Sequence, residues 1–203
     1  VTLDPNTGDI ASIQDKAGND YVNGTANTYR YLHNGDAPAK ATRPTDVKIS
    51  IKENGPLVAS LLVESKAEGC RSLAREVRLV AGQPQVEVIN TLDKLAVRAK
   101  EGVHFGFAFN VPEPRTRMDI PWGVVEIEKD QFPEGNRNWI TFQRWLDISG
   151  GNRGVTWCAL DAPMFEHGDI TANIMGPRGN WLAKLEPSAT IYSWALNNHW
   201  YTN

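Results

Sequence analysis

The chain has 203 residues, of which 21 are basic and 24 acidic, for a formal charge of −3. So even a balance gives no field that would recommend nucleic acid or an anionic membrane as a partner, and no apolar run approaches the roughly 18 residues of a spanning helix. The length suits one large β domain, because sandwiches run to about 200–250 residues as a single unit.

From the N-terminus, Pro5-Asn6-Thr7-Gly8 is the first turn signal, and residues 35–44, the least patterned stretch, are expected to be an exposed connection. Residues 47–52 then alternate apolar and polar, and residues 58–64, 73–80 and 86–92 follow as strands between Gly- and Pro-bearing turns. The clearest strand is 103–111, whose odd positions are large and apolar while its even positions are small or polar, so one face should meet a core. Strands are further expected over 123–128, 139–145, 154–160, 170–175 and 190–196, with turns at 133–136, 149–152 and 176–179. No apolar stripe at 3.6-residue spacing persists over three turns, so helix content should be small. The pattern is that of an antiparallel all-β domain. Cys70 and Cys158 permit one disulfide and do not require it.

Chemistry is sparser. Glu126 and Glu128 alternate onto one face of an expected strand, as a carboxylate pair would, although two solvated strand carboxylates are the simpler explanation. His167-Gly168-Asp169 is a His-x-Asp triplet, but His33, His104 and His199 are scattered with no spacing rule, so no metal set of three or four convergent ligands emerges. Nothing resembles a nucleophile elbow or a phosphate loop. Three candidates for substrate contact remain. Asp130 and Gln131 precede a Pro/Gly/Asn-rich loop, where turn chemistry is the competing explanation. Arg144, between Gln143 and Trp145, could clamp a hydroxyl pair or simply form a salt bridge. The tail, with Asn197, Asn198, Trp200 and Asn203, mixes amides and rings as a sugar site does, against the alternative of a packed Asn network. Seven tryptophans admit a non-catalytic carbohydrate-binding module, with core packing as the alternative for those on apolar strand phases. His104 with Glu126 or Glu128 admits a mutarotase-like sugar epimerase.

Segments 3–10, 100–105, 130–133, 143–147, 161–163 and the Asn197-Asn198-His199-Trp200 tail, in that order, closely resemble the C-terminal sandwich region of glycoside hydrolase family 38, the α-mannosidases. The resemblance covers nearly the whole chain, and segment 3–10 looks like the family's entry hairpin. It implies a galactose-mutarotase-like β-supersandwich, in which concave sheet faces or strand-end loops hold carbohydrate. It also implies that the zinc ligands and the aspartate nucleophile lie on an N-terminal α/β barrel that this chain does not contain. The chain begins at Val1 without an initiator Met or a secretory signal. We therefore expect residues 1–203 to be a single C-terminal β-sandwich domain, a portion of a longer retaining, zinc-dependent α-mannosidase. Its partners would be the barrel of the same polypeptide and a mannose-containing glycan. No cofactor is expected in this portion, zinc is expected in the barrel, and the portion alone should be inactive.

Overall fold

The computed structural model describes residues 1–33, 35–172 and 181–198. Among them there is no α-helix, and from β2 onward the paired strands are antiparallel, as the alternating patterns require. In chain order the strands are β1 (Thr2–Leu3), β2 (Ile10–Ser12), β3 (Val22–His33), β4 (Thr45–Asn54), β5 (Val58–Lys66), β6 (Cys70–Val80), β7 (Val86–Lys94) and β8 (Glu101–Phe109). They continue with β9 (Arg115–Ile120), β10 (Gly123–Glu126), β11 (Ile140–Thr141), β12 (Trp145–Gly150), β13 (Arg153–Cys158), β14 (Met164–His167) and β15 (Thr190–Asn198). The connection over 35–44 holds only a 3-10 turn, Pro38–Lys40. Cys70 is buried, Cys158 exposed, and neither is part of a disulfide.

The chain forms two compact units. The smaller comprises Leu3–Asp9 and Thr42–Arg98. Its sheet is a meander in the order β4-β5-β6-β7, and Val63, Leu73 and Val77 are buried on it. The loop from Asp4 to Asp9 is closed by its own bonds: Asp4 Oδ1 accepts from the Asn6 and Thr7 amides, and the Asp4 amide donates to Asp9 O at 2.8 Å. Gly8 sits at φ 69°, and a Cβ there would lie 2.3 Å from Val63 Cγ1, so only glycine lets this loop lie on β5. Beside it the Arg75 guanidinium is wholly buried, donating to Asp9 Oδ1 at 2.6 Å and to Thr7 O.

The larger unit, Val1–Thr2, Ile10–Ala41 and Ala99–Asn203, contains the other sheets. One runs β1-β2-β3-β8-β15-β14-β11 and the other β10-β9-β12-β13. Their inner faces meet through rings: Phe107 and Phe142 pack on Trp157 with centroids 5.6 and 5.5 Å apart, and Phe142 on Phe165 at 5.7 Å. Met118, Leu146 and Ile148 complete the buried face of the small sheet. On β8 the odd positions are buried as expected, but His104 at an even position is buried too, because the strand is covered on both faces.

Four expectations are corrected. The longest strand, β3, was not expected, because its apolar phase changes at two register shifts, between Val22 and Ala26 and between Ala26 and Thr28, with Asn27 left-handed at φ 57°. The strand over 139–145 divides: Ile140–Thr141 pairs with β14, whereas Trp145 opens β12 in the other sheet. The strand over 123–128 stops at Glu126, since Glu128 has φ 69° and cannot continue the alternation. Residues 170–172 are not strand, and 173–175 lie outside the described residues, as do 176–179.

Candidate functional site

Cross-strand pairing gathers a polar face at the centre of the seven-stranded sheet. Arg30, His104 and Trp194 form one row, Thr28, Gly106 and Tyr192 a second, and Leu32, Gly102 and Asn197 a third. Paired residues point to the same side of a sheet, so these rows share a face. His104 Nε2 lies 2.8 Å from Glu166 Oε1, and both side chains are fully buried. The other carboxylate oxygen, Oε2, accepts from the amides of Thr171 and Ala172 and from Thr171 Oγ1. An acceptor so engaged assigns the proton to His104 Nε2. His104 Nδ1 is buried and meets no hydrogen-bond partner among the described residues. The imidazole stacks on Trp194 with centroids 5.3 Å apart and planes 17° from parallel. Further rings lead outward, Trp194 to Trp139 at 6.2 Å and Trp139 to the exposed Trp181 at 5.9 Å. Gly106 is required on this face: a Cβ would come within 2.9 Å of the Tyr192 ring.

The epimerase pairing is overturned by this geometry. The partner of His104 is Glu166, while Glu126 binds Arg115, and Glu128 Oε1 accepts from Arg137 Nε at 2.6 Å and from the Leu185 amide. The His104–Glu166 pair has no exposed surface and braces β8 against β14 and the 171–172 backbone. Sequence reasoning gave Glu166 no role, because 62 residues separate it from His104 and no local pattern links them.

The candidate contact residues fall in three places. Asn197 and Asn198 are exposed at the end of β15, opposite Gly102 and Glu101, and Asn198 Nδ2 donates to Ala99 O at 2.8 Å. Trp200 and Asn203 lie outside the described residues. Asp130 and Gln131 close the turn after β10, where Asp130 Oδ2 accepts from the Glu126 amide and Gln131 Oε1 from the Glu128 amide. Arg144 donates from Nε to Asp119 Oδ2 at 3.1 Å, although most of its side chain is exposed.

Asp119 is the organising member of that pair. Burial would raise its pKa, but the amides of Trp145 and Arg144 and the Arg144 guanidinium outweigh burial and hold the carboxyl below its ordinary value. A carboxylate depressed in the folded state contributes stability above its unfolded pKa, about 3.8, and loses it as pH falls through the folded value. Asp119→Asn should therefore flatten the acid limb of a stability-versus-pH curve below about pH 4. Arg144→Ala should cost under about 1 kcal/mol, as exposed pairs do. Chemical denaturation across pH 2–6, on the order of one titration range, measures both.

His167 is likewise fixed locally. It is buried, and desolvation pushes its pKa below the ordinary value, keeping the ring neutral. Gly168, at φ 80°, donates to Thr190 O, and Asp169 Oδ1 accepts from the Ile170 amide. Among the described residues no three His, Cys, Asp or Glu side chains could hold a metal ion.

Residues 1–160 match the model of the glycosyl hydrolases family 38 C-terminal domain. No curated protein sequence matches the chain. Among solved structures, an alpha-mannosidase from Enterococcus faecalis V583 superposes with a TM-score of 0.62 at 16% identity, covering 95% of this chain. The matched region is 24% of that protein, so the chain spans about a quarter of its length.

Proposed function

We propose, from the premise that the chain belongs to glycoside hydrolase family 38 through its C-terminal domain, that it is the carbohydrate-facing scaffold of a retaining, zinc-dependent α-mannosidase. The observation that carries this reading is the family match over residues 1–160, together with an antiparallel sandwich in the larger unit. The mutarotase-like supersandwich architecture belongs to the same proposal. A catalytic barrel elsewhere in the polypeptide would supply the two carboxyl groups that retention of configuration needs, about 5–5.5 Å apart. Bound zinc there would grip hydroxyls of the sugar. The chain's own contribution would be to support that site and to present the exposed side chains of Asn197 and Asn198 toward the glycan.

Hydrolysis of an aryl α-mannoside tests this. The full-length protein should turn the substrate over with zinc, lose activity to a chelator, and release the α-anomer first by NMR, while residues 1–203 alone stay silent. A folded, zinc-loaded full-length protein without activity would overturn the proposal, as would turnover by the chain alone.

A further inference from the structure

The outer face of the β10-β9-β12-β13 sheet carries a groove of about 500 Å³ lined by Arg117, Val124, Trp145, Asp147 and Thr156. The register makes it one surface: Asp147 pairs with Arg117 on one side and Thr156 on the other, and Glu126 pairs with Arg117. Arg117 donates from Nε and Nη2 to Asp147 Oδ2 at 3.1 and 2.6 Å, and Ser149 Oγ donates to the same oxygen at 2.8 Å. All three bonds converge on Oδ2. That leaves Asp147 Oδ1 as an acceptor and Arg117 Nη1 as a donor in a groove that Trp145 and Thr156 also line.

A second observation stands beside the groove. Between β9 and β10 the chain reverses through Ile120-Pro121-Trp122-Gly123, with Trp122 at φ 69° and its side chain fully exposed, two residues before Val124 of the groove. This is a turn position that glycine or asparagine fills at no steric cost, and a bulky residue there is a backbone outlier. The chain thus holds an indole in water on a strained turn, an arrangement that folding alone does not favour and that recognition does.

We propose that this surface is a binding site for a neutral saccharide, separate from the residues of the β15 tail. The Arg117–Asp147 pair is already neutralised, so it offers no net charge to an anion. Its remaining donor and acceptor instead match two neighbouring hydroxyls of a pyranose, one accepting from Nη1 and the other donating to Oδ1. The faces of Trp145 and Trp122 cover the C–H surfaces of adjoining sugars, the usual division between apolar walls and a few oriented polar groups. Resting on the α-mannosidase reading, the ligand is a mannose-rich glycan, held away from the cleft so that the enzyme stays on its polymer between cleavages.

Affinity electrophoresis of the full-length protein through gels cast with α-mannan tests the site. The unsubstituted protein should be retarded, and Trp145→Ala should weaken that retardation about tenfold or more, the loss expected when a central aromatic contact is removed. Trp122→Gly keeps the turn and relieves its backbone, so it should weaken retardation with an unchanged or raised melting temperature. This second variant reads the site even where Trp145→Ala fails to fold. No retardation of the unsubstituted protein, or equal retardation of folded Trp122→Gly, overturns the proposal. Protection of Trp122 from indole oxidation in the full-length protein without saccharide also overturns it, since protein surface would then cover the ring. Aryl α-mannoside hydrolysis by the unsubstituted protein, read separately, reports on the catalytic proposal alone: activity without retardation sinks only the site, and retardation without activity sinks only the enzyme reading.

Discussion

Asp9→Ala is expected to destabilise the protein by about 3–5 kcal/mol, the range for stripping one partner from a buried ion pair. The Arg75 guanidinium is wholly inaccessible, its Nη1 sits 2.6 Å from Asp9 Oδ1, and the Gly8 backbone lies against Val63 and the guanidinium, where no side chain would fit. Without the carboxylate, the charge stays in a buried site and the 4–9 loop keeps only the Thr7 carbonyl as its bond to Arg75 on β6. Asp9→Asn keeps an acceptor of the same shape and should cost less. An Asp9→Leu, Arg75→Met double variant should recover much of the loss, because apolar groups of similar volume carry no desolvation penalty. Urea unfolding of the four proteins measures the set, and an Asp9→Ala change below about 1 kcal/mol would contradict the argument.

Glu166→Ala carries the other large effect, again about 3–5 kcal/mol. Its two oxygens take the His104 ring N–H, the amides of Thr171 and Ala172 and the Thr171 hydroxyl, all in the interior of the larger unit. Alanine strands those donors, each a buried polar group with a desolvation cost of about 1–3 kcal/mol. Glu166→Gln can still accept at one oxygen, but its amide nitrogen faces a donor, so an intermediate loss is expected. Hydrogen exchange should locate the damage: faster exchange of the Thr171 and Ala172 amides in Glu166→Gln, with the β4 to β7 sheet unaffected. Unchanged exchange at those amides would mean that the carboxylate does not organise them.

Much of the fold was legible where the period-two signal is uninterrupted. Val103 to Phe109 shows it, with odd positions buried as their size demands. The strands of the β4–β7 meander were legible for the same reason, and β4, β5 and β6 are each followed by a turn-forming Gly or Pro. The signal failed wherever the backbone departs from regular pairing. β3 changes phase at two bulges, so no single alternation runs through Val22 to His33. β9 carries no strand signal because Arg115 and Arg117 point outward, while its buried positions Thr116 and Met118 are too few to register. The segment from Trp139 to Trp145 reads as one strand, but the chain crosses between sheets there and the Asp119 carboxylate pins the crossing through two amides.

The candidate site was legible only as residue types. Asn197 and Asn198 do sit exposed at a strand end. Asp130, Gln131 and Arg144 each have one side-chain polar atom bonded to a neighbour, which no linear reading could reveal. The His104–Glu166 pair and the Arg117–Asp147 pair arise from cross-strand register and from contacts over 62 and 30 residues. Such pairs exist only once the strands are aligned. Carboxylate and imidazole spacing along the chain pointed instead to Glu126 and Glu128, whose partners turned out to be Arg115 and Arg137.

The outermost strand of the smaller unit's sheet bears on how the protein behaves when crowded. β4 ends the sheet order, and its pairing with β5 slips between Thr45 and Lys48 and again between Ile51 and Glu53. Lys48, Lys52 and Glu53 stand exposed along it. An unbroken, uncharged rim of amides and carbonyls would be a template on which a neighbouring molecule could add its own strand. The two irregularities spoil the register such an addition needs, and the charges make it repulsive. An edge so broken and charged disfavours the addition of a strand from a neighbouring copy.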